Sequence, residues 1–480
     1  MRASTHGSTW LTGTSTGRGP RAAVLATAVA VLAAIGVSGC QGAVSSPAAA
    51  GTPRSAAQPT ATTATPLATA LPLAWSATPA PLPTDAVEGS GQEAILNDAS
   101  CPAPGQCVAV GTDQAHSASG VVSQGLIETL SDGTWTPTAL PAISSPQSPA
   151  QLSSVSCPAE GTCVAVGFML SSVNKKYYAP VIERLSGGRW NTVTPALPPD
   201  ADTFASATLT SISCPTANWC AAGGWYYQAN GQYALYVSTL TDGSWTAAPL
   251  PLPSNAAPNS STSGITAFAD VSCTAAGACT AVGEYRDTSG GSQAFTATLS
   301  GGTWATAQVP LPDDAATTGQ AAGLFGISCP APGTCVAGGH YLNRDNQARY
   351  LIDTLSEGKW TSTAAPLPAD AAADQKWSQD QATTLSGVAC ESASDCVASA
   401  GYVSADNEML PSVATLSNEA WSSAGLPLPA DASMQSGQAG AAFLGLIRCP
   451  APGDCVSVGS YPVGNDDSQG LIETATAKRD

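Results

Sequence analysis

The stretch Ser100-Cys101-Pro102-Ala103-Pro104-Gly105-Gln106-Cys107-Val108-Ala109-Val110-Gly111 decides the fold, because variants of it recur along the chain. Its cysteine pair, Cys101 with Cys107, returns as Cys157 with Cys163, Cys214 with Cys220 and Cys273 with Cys279. It returns again as Cys329 with Cys335, Cys390 with Cys396 and Cys449 with Cys455, always C-x5-C. Successive first cysteines are 56, 57, 59, 56, 61 and 59 residues apart. A period of that size marks a repeat architecture, in which each unit buries its apolar face against its neighbours.

Outward from the cysteines lies a second element of the type Thr-Leu-Ser-x-Gly-x-Trp, followed by Leu-Pro. It gives Trp135, Trp190, Trp245, Trp304, Trp360 and Trp421 between the pairs. A seventh copy, Trp75 with Leu82-Pro83, comes before the first pair, and none follows the last. Each unit reads as four short strands, with β-branched and aromatic content bounded by Gly, Pro and Ser. Four-stranded units of this length predict an all-β propeller of seven blades. The displaced Trp75 strand predicts how the ring closes, by pairing with the C-terminal blade and leaving no open edge between first and last blades. The propeller is expected over 71–480.

The C-x5-C turn joins strands one and two, so its cysteines face each other across a hairpin and seven disulfides are expected. Each would close a loop of about seven residues, for roughly 2 kcal/mol. Fifteen Cys beside three His also point to an oxidising compartment rather than metal sites. The one cysteine outside the pairs is Cys40.

Residues needed once per blade hold blades together, whereas a ligand site needs its residue once. By that logic the seven tryptophans are structural, and so is the tyrosine column Tyr226, Tyr285, Tyr341, Tyr402 and Tyr461. Column-breakers are the candidates for binding. The residue before the first Cys is Ser in five repeats and Ala389 in one, but Arg448 in the seventh. Three before that Cys, Asp98 and Asp270 replace small or apolar residues. Charges on an innermost strand line the channel, where they contact a ligand or pair with each other. Trp225, in Trp225-Tyr226-Tyr227, offers an aromatic surface of the kind sugar binders use, or plain strand packing. His340 is a further candidate. Strand alternation puts loops one-to-two and three-to-four on one face of the disc. The other loops, with Asp200, Asp202, Asp313, Asp314 and Asp287, lie on the opposite face, as binding loops or as a solvated acidic rim.

Composition narrows the partners. The 480 residues are 10% charged, and all 34 acids lie at or after Asp85. Four of the 16 bases (Arg2, Arg18, Arg21, Arg54) precede it, leaving 12 and a net of −22 beyond. That charge argues against nucleic acid or an anionic membrane surface. At the N-terminus, Arg18 and Arg21 precede an uncharged apolar run, Ala22 to Ser38, ending in Val37-Ser38-Gly39-Cys40. The run is short for a spanning helix and reads as a secretory signal over 1–39. The Ala/Thr/Pro/Ser stretch 40–70 reads as a disordered tether.

Two resemblances add to this reading. The Ser-Gly-Cys40 junction resembles the lipobox of bacterial lipoproteins, which implies lipidation of Cys40 and explains the odd cysteine. An ordinary cleaved signal and an uncleaved anchor remain alternatives. The Thr-Leu-Ser-Asp-Gly-Thr-Trp135 turn is similar to a degenerate Asp-box (BNR repeat), shortened by one residue. The Ile-Ser-Cys…Cys-Val-Ala-Val-Gly element resembles secreted actinobacterial propellers of the photosystem-assembly-factor-like kind. These resemblances imply the fold, not an activity.

The expectation is a monomeric, non-catalytic binding or scaffold module for a protein or glycan, lipid-anchored at the outer face of the cytoplasmic membrane. No cofactor, metal or catalytic residue is assigned. The alternatives are a glycan-active hydrolase or lyase using acids of the variable face, with Asp98, Asp270 or His340, and a structural envelope component.

Overall fold

The computed structural model describes residues 73–477, apart from 118–119, 141–149, 171–176, 203–204, 259–265, 376–382, 435–440 and 465–466. The expectations for the signal, the tether and Cys40 lie outside the described residues.

The described residues form seven four-stranded antiparallel sheets, with the strands of each in sequential spatial order except in the last. Blades 1 to 6 span 94–139, 150–193, 207–249, 267–308, 323–365 and 384–425. Blade 7 takes three strands from 443–477 and its outermost from Leu73–Pro79. That strand runs antiparallel to Ser468–Ala477 in the register Leu73↔Ala477 to Pro79↔Leu471. Innermost strands of blades 1 and 7 pack together, so the ring is closed.

Local chemistry explains each blade. In the first hairpin Pro104-Gly105 forms the turn between the paired Ala103 and Gln106, and Gly105 takes φ 74°, which a Pro-Gly type II turn requires. The cysteines flanking this turn are bonded in every blade, as the C-x5-C spacing predicts. Cys101 bonds with Cys107, Cys157 with Cys163, Cys214 with Cys220 and Cys273 with Cys279. Cys329 bonds with Cys335, Cys390 with Cys396 and Cys449 with Cys455. Their Cα atoms are 4.0 to 4.1 Å apart, so each bond staples its own hairpin and none crosses between blades. The second cysteines Cys107, Cys163, Cys220, Cys279, Cys335, Cys396 and Cys455 open the second strand and are all buried in the blade cores.

At the third-to-fourth turn both central residues are left-handed, as in Asp132 (φ 51°) and Gly133 (φ 75°). This is the twist-matched two-residue hairpin turn, in which Gly, Asn and Asp are favoured. The position likened to an Asp-box aspartate therefore accepts Gly187, Gly301 and Asn418 as well. Each tryptophan of the fourth strand lies opposite the last apolar residue of the third, as in Trp245↔Leu240, and packs beside the disulfide. The innermost strand carries a bulge in every blade, at Thr210 in blade 3. The bulge drives its backbone onto strand two. A Cβ on Gly224 would sit 2.0 Å from the Thr208 carbonyl, which is why the Val-Gly dipeptide and its equivalents repeat.

Blades are tied together at two levels of the innermost strands. The serine before each first cysteine accepts the N–H of the next blade's first cysteine. The bonds are Cys157 to Ser100 (2.9 Å), Cys214 to Ser156 (2.9 Å), Cys273 to Ser213 (3.1 Å), Cys329 to Ser272 (3.1 Å) and Cys390 to Ser328 (3.0 Å). Two residues earlier, Asp98, Ser154, Ser211 and Asp270 accept the N–H of Val155, Ile212, Val271 and Ile327. Beyond blade 5 that upper level ends. There Gly326 and Gly387 let backbones touch, a Cβ on either meeting the next strand's Cα at 2.5 or 2.7 Å.

A third tie lies nearer the rim. The tyrosine column is buried and each hydroxyl donates to the residue after Leu-Pro-x. The pairs are Tyr226–Asp200, Tyr285–Asn255, Tyr341–Asp314, Tyr402–Asp370 and Tyr461–Asp431, at 2.8 to 3.1 Å. The Leu-Pro repeat is thus a clip that docks the linkers entering blades 3 to 7 on the second strands of those blades. Several acids of the variable face belong to it.

Removing one acceptor isolates the value of the inner tie. Ser213→Ala orphans the Cys273 N–H and is expected to destabilise the protein by about 1–3 kcal/mol, whereas Ala389→Ser adds the missing acceptor for Cys449 and is expected to stabilise by about 1 kcal/mol. Urea unfolding of both variants measures this; equal stability of Ser213→Ala and the parent would refute the assignment.

Candidate functional site

The channel candidates are brought together, but into bonds with the protein itself. Arg448 Nη2 of blade 7 lies 3.1 Å from Asp98 Oδ1 of blade 1. The carboxylate also accepts from the Ala99 N–H (2.8 Å), the Val155 N–H (3.1 Å) and the Ser154 hydroxyl (2.7 Å). Burial pushes Asp98 up despite Arg448. Asp270 accepts from the Ser211 hydroxyl (2.8 Å) and the N–H groups of Val271 (2.8 Å) and Ile327 (3.0 Å), and burial raises it to about 6. Both acids stand in the serine column and do the serine's work. His340 stacks on Phe325 with centroids 5.4 Å apart, and its Nδ1 is 3.4 Å from the Thr384 hydroxyl. Burial lowers it to about 3, which keeps it neutral. Among the described residues no three His, Cys, Asp or Glu side chains gather as a metal site.

Trp225 differs. It and Phe168 occupy the same place in adjacent blades 3 and 2, the fifth residue after the second cysteine. The other blades have Thr112, Glu284, His340, Gly401 and Ser460 there. Strand two here approaches the face that carries the long loops. Trp225 stacks on Tyr233 at 5.3 Å, and both meet Tyr227 edge-on at 5.9 and 5.8 Å. Phe168 meets Tyr178 edge-on at 5.0 Å. Tyr178 and Tyr233 are register equivalents, opposite Leu170 and Tyr227. Tyr178 is 40% exposed, and Trp225, Tyr227 and Tyr233 are half-buried. Tyr226, in the same run but also in the structural tyrosine column, points the other way: it is fully buried in the Asp200 clip. Sequence reasoning misses Tyr178 and Tyr233, because only strand register puts them beside Trp225 and Phe168.

A second set has no sequence signal beyond a recurring Ile-Glu-Thr. Glu128, Glu183, Asp353 and Glu473 hold one register position of the third strand, and each is buried. Glu183 accepts from Thr192 (2.7 Å) and Asp353 from Ser362, each directly opposite on the fourth strand. Opposite Glu128 and Glu473 stand Pro137 and Ala77, which have no hydroxyl, and among the described residues neither carboxyl has a hydrogen-bond partner. Burial raises Glu128 and Glu473 to about 8 and Asp353 to about 7.

No protein-family model and no curated protein matches the chain. Among solved structures, a protein of unknown function from Dyadobacter fermentans is 12% identical with a TM-score of 0.44, covering 82% of this chain and 97% of that one. A Trypanosoma rangeli sialidase in complex with sialic acid is 10% identical with a TM-score of 0.37, covering 76% of this chain but only 57% of the sialidase. A fucose-specific lectin from Aleuria aurantia is 12% identical with a TM-score of 0.37, covering 72% and 98%. Likeness at this level says nothing about activity or ligand.

The buried carboxyls set a pH dependence. From the ordinary 4.5 of glutamate to about 8, the unfolded chain releases protons that the folded chain keeps at Glu128 and Glu473. Stability therefore falls as pH rises across that window, by up to about 1.4 kcal/mol per pH unit for each group. The melting temperature is expected to be higher at pH 5 than at pH 8, and the double variant Glu128→Gln, Glu473→Gln to flatten the slope. A melting temperature that rises from pH 5 to 8 would contradict this.

Proposed function

We propose that the protein is a non-catalytic binding propeller, held at the outer face of the cytoplasmic membrane by a lipid on Cys40, that takes a glycan on its loop-bearing face. The observation that carries the reading is the aromatic rim of blades 2 and 3. Phe168, Tyr178, Trp225, Tyr227 and Tyr233 break the repeat and are left partly exposed, although Trp225 and Tyr233 also pack against the core between blades 3 and 4. Aromatic rings with one apolar face and a polar tip suit ligands that are themselves amphipathic, such as sugar rings. A protein partner would use the same rings as anchors. The hydrolase reading loses support because Asp98, Asp270 and His340 are engaged within the fold, the first two saturated by donors that tie blades together.

The secreted chain presented to a glycan array is expected to retain a defined set of sugars, and the double variant Tyr178→Ala, Trp225→Ala to bind them at least tenfold more weakly. Unchanged binding by that variant would move the site elsewhere, and capture of a protein alone would replace the ligand class. For the anchor, Cys40→Ser is expected to shift the protein from the membrane fraction to the soluble fraction; continued membrane retention would count against lipidation.

A further inference from the structure

We infer that the strand Leu73–Pro79 is a proton-dependent latch: it stays docked on the last blade while the Glu473 carboxyl beneath it is protonated, and releases as that carboxyl ionises. Three features of blade 7 lead there. First, among the described residues its outermost strand is the only fourth strand not joined to its third strand by a two-residue turn. Leu73–Pro79 and Ser468–Ala477 are linked only through the whole ring, so the latch is held by its ladder and by the side chains under it.

Second, those side chains are few. Trp75 and Leu73 pack against Val397, Val413, Cys455 and Ala475. Ser76 shares a hydrogen bond of 2.9 Å with the Thr474 hydroxyl on the outer face. Ala77, on the inner face, lies directly opposite Glu473.

Third, Glu473 is fully buried with both carboxyl oxygens unpartnered. Its neighbour across the second strand, Ser457, gives its hydroxyl to the Leu446 carbonyl instead. On its face of the sheet Ala77 and Ser457 lie opposite it and Leu471 and Ala475 flank it, and the cluster that Ala475 joins, with Val397, Val413, Cys455 and Trp75, carries no charge. The titratable pair on that side of the seam, Tyr461 and Asp431, is closed on itself. A neutral carboxyl is tolerated there; an ionised one has neither cation nor donor, and water reaches it only if the latch lifts.

Blades 2 and 5 show the alternative. Their buried acids have the hydroxyls of Thr192 and Ser362 where the latch offers Ala77. Released, Glu473 returns to the ordinary glutamate range, whereas docked it sits near 8. Between those values the docking equilibrium weakens about tenfold per pH unit.

Amide hydrogen exchange on the full chain reads this directly. After correction for intrinsic rates, protection of Leu73–Pro79 is expected to fall by a hundredfold or more between pH 5 and pH 8, while the fourth strand of blade 3, Ser244–Pro249, does not follow. Glu473→Gln is expected to remove the loss. Ala77→Thr, which supplies the missing hydroxyl, is expected to move it to higher pH, and Glu183→Gln to leave it unchanged. The inference fails if Leu73–Pro79 tracks Ser244–Pro249, if the loss persists in Glu473→Gln, or if Glu183→Gln abolishes it. Should Glu473→Gln not fold, an unshifted loss in Ala77→Thr overturns it equally.

Discussion

An innermost propeller strand has a neighbour on one edge only, and its other edge points N–H groups towards the preceding blade across the channel wall. Unpaired backbone donors in a buried position are costly, so they need acceptors. Here the acceptors are side chains of the preceding blade: Ser100, Ser156, Ser213, Ser272 and Ser328 at one level, and Asp98, Ser154, Ser211 and Asp270 at the other. The ring is therefore held by a short-range directional tie repeated at successive seams. This explains how cores made largely of Ala, Val and Cys, with only 6% aromatic residues in the chain, support a wheel of this size. Where the tie is missing, at Gly326, Gly387 and Ala389, backbones approach directly or Arg448 reaches across to Asp98. The closing seam thus uses a charge pair in place of the serine.

The same tie changes the meaning of the column-breaking charges. A residue that occurs once in a repeat protein is a fair candidate for function, but the argument is incomplete until its bonding capacity is counted. Asp98 receives four donors and Asp270 three, all from the protein. A carboxylate in that state has little left to offer a ligand. The aromatic breakers pass the same test differently: Tyr178 keeps much of its surface in solvent, and Trp225, though it packs along the seam with blade 4, stays half-buried.

Blade number, strand count, disulfide pairing and the phase-shifted closing strand were legible in the sequence, because each rests on spacing along the chain. Spacing survives without coordinates. The Tyr–Asp clip, the acid column and the partners of Trp225 were not legible, because each depends on which residues face each other across strands. Tyr226 shows the difference plainly. In the sequence it stands between Trp225 and Tyr227, yet alternation sends it to the opposite face of the sheet. The Leu-Pro repeat is visible, but its acid does not read as part of it, although Asp200, Asp314, Asp370 and Asp431 follow it at one offset.

The acid column poses a different problem, because packing does not demand it. The same position is Ser238, Ala297 and Ala414 in blades 3, 4 and 6, so a small residue fills it adequately. A carboxyl placed there is tolerated mainly in its neutral form, and two blades soften the cost with an opposing hydroxyl. In blade 1 the cost of Glu128 is spread over a blade whose third and fourth strands are covalently continuous. In blade 7 it bears on a strand seven residues long, contributed by the far end of the propeller and followed directly by the segment that clamps blades 7 and 1 through Ala80, Gln92 and Glu93. An unpaired acid at that point weakens the ring where its covalent support is least, and that position gives Glu473 a consequence its counterparts lack.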